Sequence, residues 1–464
     1  MGTLILRLSA VGGLLTVAVT FLLLAGAPAF AVSLPGDQLW QRKTVVSGSD
    51  GFVEMARGPG GVVYAVGTRA YTSGGKKCQG IVLVKYSPVG KLLWKRSLAG
   101  GVVPNGGSGR AIAADAAGNV TVAGMKYSVA HAFDIVVAGY SPSGALRWSR
   151  TYNGPADGID QAFDVALDRS GNAYVAGSVA TKTKASDLLL LKYAAGSGRR
   201  LWTFQYNSPA LALDDYAQAV AVDRSGAAYV TGYSQNMDGT TWSATVIKVT
   251  PAGKPLWMPH LLVGSSTFAT RIALDGNGDV VIAGRCLGPT DYDLFVAKLT
   301  HTIGSLAWTP KTVSYAGNQV LNDLAIGRCH NDIYLVGSNS FPITTGEIAD
   351  FKYDGTLLWD TAYWPDNLVN GGLSWKAVAL DAHDDLFVAG RDTATSPATD
   401  TFEVGKLEWD GTWPIWQTRV SGDATGDTTP RDVLWTSGSS GGAYACGVLT
   451  QGGVDYAYIT KFKP

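Results

Sequence analysis

Apolar positions recur along the chain in short runs, some alternating with polar residues and some continuous, each closed by a glycine-bearing turn. The stretch 162–206 shows the unit. Ala162 to Asp168 alternates, Arg169-Ser170-Gly171-Asn172 reads as a turn, and Ala173 to Gly177 reads as a strand. After a variable loop, Asp187 to Tyr193 predicts a third strand, Ala194 to Arg200 a turn, and Leu201 to Tyr206 a fourth strand. Four short strands joined by turns form a β-meander. No segment carries sustained helical spacing.

This unit repeats. Trp40, Trp94, Trp148, Trp202, Trp257, Trp308, Trp359 and Trp416 follow one another at 51 to 57 residues. An independent series, Gly67, Gly124, Gly177, Gly232, Gly284, Gly337, Gly390 and Gly447, keeps a similar period of 52 to 57. Four-stranded units of this length fit propeller blades, and a blade buries its faces only by stacking on neighbours. The last repeat stops at Ile459 to Pro464 after three strands, while Pro35 to Trp40 is an orphan fourth strand. The expectation is an all-β, eight-bladed propeller of four-stranded antiparallel blades. The N-terminal strand would complete the C-terminal blade and remove two open sheet edges.

The segments Asp168-Arg169-Ser170-Gly171-Asn172-Ala173-Tyr174-Val175-Ala176-Gly177 and Lys85-Tyr86-Ser87-Pro88-Val89-Gly90-Lys91-Leu92-Leu93-Trp94 resemble the bacterial β-propeller repeat known as the SBBP repeat. That resemblance implies an exported propeller with no common activity. The family label speaks of seven blades, whereas this chain counts to eight. The outer Trp strand is also similar to that of eight-bladed quinoprotein-like propellers and of the outer-membrane assembly factor with that fold.

Residues 1–31 read as a secretory signal peptide: Arg7 precedes an apolar run, and Ala29 and Ala31 fit a small-residue cleavage rule. Residues 32–464 would then be a single propeller domain, extracytoplasmic and monomeric, with no membrane span after cleavage. An uncleaved anchor is the alternative. Composition supports a folded, non-nucleic-acid-binding chain. Hydrophobic residues make up 46% and charged residues 16%, and 37 basic side chains balance 37 acidic ones. Export makes disulfides permissible, and Cys78, Cys286, Cys329 and Cys446 allow three pairings.

The repeated polar residues have structural reasons. Asp115, Asp168, Asp223, Asp275 and Asp381 open turns whose amides they can accept. Lys85, Lys192, Lys248, Lys298, Lys352, Lys406 and Lys461 recur at the end of the third strand, and a lattice of Lys–Asp pairs on one ring face is expected. Asp275-Gly276-Asn277-Gly278-Asp279 has the start of a calcium-loop spacing but lacks the later bidentate Glu, so it reads as an ordinary turn. No cofactor and no metal are expected. His131, His260, His301, His330 and His383 are scattered, and no nucleophile motif accompanies them.

The second–third loops and the inter-blade connections share one face and vary between repeats, which makes that face the expected ligand face. Asp50, Asp160 and Asp215 stand at equivalent positions near the channel mouth, with Arg110, Arg271 and Lys376 at similar heights. Trp242, Trp364 and Trp375 fall outside the Trp series and suit an aromatic platform beside those polar groups. The resulting expectation is a non-enzymatic scaffold for a protein, peptide or glycan. The alternative is an enzyme or cofactor-binding propeller, quinoprotein-like or carbohydrate-active, with its site at the channel mouth.

Overall fold

The computed structural model describes residues 5–10, 13–18, 34–45, 51–102, 107–183, 185–208, 213–340, 344–363, 372–393, 400–408, 415–421, 428–437, 441–451 and 454–464. Two units are distinct, 1–34 and 35–464. In the first, Ile5–Ala10 pairs antiparallel with Gly13–Ala18. The cleavage segment 28–31 lies outside the described residues. Among the described residues no helix is long and apolar enough to cross a membrane.

The second unit is a ring of eight antiparallel blades. Their innermost strands are Phe52–Arg57, Ser108–Ala114, Gln161–Leu167, Asp215–Val222, Ser266–Leu274, Gln319–Ile326, Gly372–Leu380 and Thr429–Thr436, for blades one to eight in order. Blade three shows the meander: Gln161–Leu167, Ala173–Ala180, Ser186–Tyr193 and Arg200–Tyr206 pair in sequence order. Its second and third strands are covered on both faces by neighbouring blades. Leu188, Leu189, Leu190 and Leu191 are therefore all buried, which explains a continuous apolar run where a one-sided strand would alternate. Blade eight takes three strands from the C-terminus, and Gln38–Val45 pairs with Val454–Phe462 as its fourth. Arg42 stands opposite Ile459 and Val45 opposite Tyr456. The innermost strand of blade eight packs on that of blade one, so the ring is closed.

The repeated Trp is an inter-blade clip. Trp94 of blade one donates its indole N–H to the Pro142 carbonyl of blade two at 3.0 Å, and Trp202 does the same to Pro251 at 2.9 Å. The clip also crosses the chain ends, where Trp40 reaches Pro88 at 3.1 Å. Among the described residues, seven of the eight rings lie over the turn glycine of the next blade. Gly144 sits at φ +81°, and a Cβ there would come within 2.8 Å of the Trp94 ring. Trp416 lies likewise over Gly36 at the closing seam.

The Lys–Asp lattice forms in part. Lys192 meets Asp168 at 3.5 Å, Lys298 meets Asp275 at 2.7 Å and Lys406 meets Asp381 at 3.2 Å. The repeated Lys also donates to the next blade's turn, as Lys461 does to Pro88 at 3.1 Å. Blade six departs from the expected series. Lys352 follows the third strand rather than ending it, and Asp350 occupies the lysine's register opposite Trp359. The four cysteines are all unpaired.

Candidate functional site

Every innermost strand carries one β-bulge near its start. A bulge turns two successive side chains toward the same side, and here that side is the central channel. The unpaired bulge residues are Val53, Arg110, Phe163, Gln218, Thr270, Asn322, Lys376 and Arg431, for blades one to eight in order. All but Thr270 line a cavity of about 560 Å³ that opens among Gly51, Ser108 and Pro430, the starts of innermost strands. The residues that follow form a deeper ring, with Glu54, Asp164, Arg271, Asp323 and Asp432 lining a cavity of about 290 Å³.

The four carboxylates of the deeper ring staple blades together. Glu54 accepts from the Ile112 amide of blade two at 2.9 Å, and Asp164 from Val220 of blade four at 2.8 Å. Asp323 accepts from Val378 of blade seven at 2.9 Å, and Asp432 from Met55 of blade one at 2.6 Å. Burial pushes all four toward the neutral form. Asp432 rises to about 7, Glu54 lies well above the usual carboxylate range, and Asp164 and Asp323 are also raised. Arg271 opposes the rise at all four positions and pairs with Asp323 at 3.5 Å. Among the described residues, no three His, Cys, Asp or Glu side chains are grouped so as to hold a metal ion.

The sequence-predicted residues divide. Arg110, Arg271 and Lys376 do meet in the channel. Asp160 and Asp215 do not line it. Both are fully buried acceptors of backbone amides, Asp160 from Gly154 and Ala180, and Asp215 from Ser208 at 2.7 Å. Burial raises Asp215 to about 6. Trp375 is 3% exposed and packs against Gly346 and Gly390, so it belongs to the core rather than to an exposed platform. Asp50 and Trp364 lie outside the described residues. Asp275 accepts the Asn277 and Asp279 amides at 2.9 Å each and pairs with Lys298, the contacts of an ordinary turn.

Sequence reasoning missed Glu54, Asp164, Asp323, Asp432 and Arg431. A usable signal existed: each acid directly precedes the short apolar stretch of its innermost strand, as in Asp164-Val165-Ala166-Leu167 and Asp323-Leu324-Ala325-Ile326.

Trp242 stands in an aromatic shelf on the loop face of blades four and five. Its ring lies 5.4 Å from Tyr233, 5.8 Å from Phe268 and 6.3 Å from Tyr216. Phe268 continues the row to Tyr292 at 6.1 Å, and the Arg285 guanidinium lies over Tyr292 at 4.5 Å. All five rings are half-buried, each keeping an accessible portion. Gln218 joins the two features, since it lines the channel and its amide lies 3.5 Å from the Tyr233 hydroxyl.

Fold and site together define a β-propeller with a polar central channel and an aromatic loop face. Among solved structures, a europium-containing methanol dehydrogenase is similar, with a TM-score of 0.54 at 9% identity over 92% of this chain and 95% of that one. At that identity the likeness concerns the fold alone. The β-propeller domain of the Trilobed protease from Pyrococcus furiosus matches at a TM-score of 0.44 and 9% identity, over 80% of this chain and 98% of that one. No protein-family profile matches the sequence, and no curated protein matches it.

Proposed function

We propose that the protein is an exported, non-catalytic binding propeller of SBBP-repeat type whose loop face takes a glycan on the shelf of Tyr216, Tyr233, Trp242, Phe268 and Tyr292. The observation that carries this reading is the shelf itself. Five half-buried rings from two blades form one continuous surface. Sugar rings present apolar C–H faces that stack on such surfaces, while hydroxyls need polar neighbours. Those neighbours are at hand in Arg285, Gln218 and Asp214, the last of which accepts the Ser186 amide at 2.7 Å. The ordering cost is small, because the shelf is held by packed strands rather than by free loops. The signal-like residues 1–31 support an extracytoplasmic setting, where surface glycans are encountered.

The test is calorimetric titration of the protein with cello-, xylo- and chito-oligosaccharides of six units. Saturable binding of one of them, weakened at least tenfold by Trp242→Ala with an unchanged melting temperature, is the expected result. Absence of binding to all three, or cleavage of the bound sugar, contradicts the reading.

A further inference from the structure

We propose that the channel mouth is a second, independent binding site for a small multivalent oxyanion, held by Arg110, Lys376 and Arg431. The inference rests on the different charge of two adjacent rings. The bulge ring contains three basic residues, two amides (Gln218 and Asn322) and no acid. The ring below it contains four carboxylates and Arg271. The three bases are not spread evenly around the axis. They come from blades two, seven and eight, one arc that also spans blade one, and they face Phe163, Gln218 and Asn322 across the cavity.

The carboxylates below do not cancel this arc. Each is committed to an amide of the following blade, and none of them lines the mouth cavity. Arg271 pairs with Asp323 and also lines the mouth cavity, so the mouth is bordered by four bases and by no acid. Arg110 and Arg431 are exposed to the channel, and Arg431 has no carboxylate partner among the described residues. A volume of about 560 Å³ lies within the range of small-ligand sites. Planar guanidinium forks suit the paired oxygens of carboxylates and phosphates alike, and an ion held between three bases inside a channel is screened less than one on open surface.

Citrate and pyrophosphate separate the two sources of such an anion. Titration of the full chain with each is expected to show one site per chain for at least one of them. Arg110→Gln with Arg431→Gln should weaken that binding at least tenfold, and Lys376→Gln alone should weaken it measurably. All three side chains project into solvent-accessible space, and an unchanged melting temperature confirms folding. Trp242→Ala should bind the anion normally, which keeps this site distinct from the shelf. Failure of both anions to bind at millimolar concentration overturns the proposal, as does binding that the double variant leaves unchanged.

Discussion

Several buried acids give the protein an unusual pH profile. Burial lifts Asp432 to about 7, and lifts Glu347 and Asp350 to about 8, from ordinary values near 4. Between those limits the folded chain holds more protons than the unfolded one, so stability falls as pH rises. His260 acts in the opposite direction, because burial lowers its affinity for a proton. The acids outnumber it, and the melting temperature at pH 5.5 should exceed that at pH 8. Scanning calorimetry at the two pH values checks this. Asp350 is the sharpest case, being fully buried in the register that six other blades give to a lysine. Asp350→Asn should raise stability at pH 8 by about 1 kcal/mol and flatten the pH dependence. A lower stability at pH 8 would show that the carboxylate has a partner that matters.

At the scale of the element, the clip between Trp and turn glycine joins one blade to the next. Trp94→Ala removes a buried indole and its hydrogen bond to Pro142, and should cost about 3–5 kcal/mol in denaturant unfolding. Gly144→Ala should cost about 1–2 kcal/mol, since the new methyl meets the Trp94 ring from a left-handed backbone. These parts were legible because they repeat: a Trp, a turn Gly and a Lys at a steady period specify the blade. The channel ring was less legible for a geometric reason. A bulge shifts which residue faces inward, and the following turn varies in length. Phe52 pairs with Gly67, but Leu321 pairs with Gly337 and Pro430 with Gly447, one and two residues further along. A fixed distance ahead of the repeat glycine, which Asp160 shares with Asp215, therefore passes over Asp323 and Asp432. The shelf was half legible. Trp242 stood out as a tryptophan outside the series, whereas Phe268 joins it only because blade five packs on blade four. Trp375 has the same sequence signature as Trp242 and is buried, because it lies in an innermost strand beside two glycines.

For the molecule as a whole, ring closure places all eight bulges around one axis and brings Arg110 and Arg431 into the same mouth. It depends on the two chain ends meeting. Gln38 donates to Thr460 at 2.8 Å, Gly36 to the Lys463 carbonyl at 2.9 Å, and the Trp40 clip holds blade eight to blade one. Removing residues 1–45 tests this directly. The shortened chain should melt at least about 10 °C lower than the full chain, and a synthetic peptide of residues 35–45 should restore much of the loss by adding back the missing strand. An unchanged melting temperature after truncation, or a peptide with no effect on a destabilised ring, would contradict closure by the N-terminal strand.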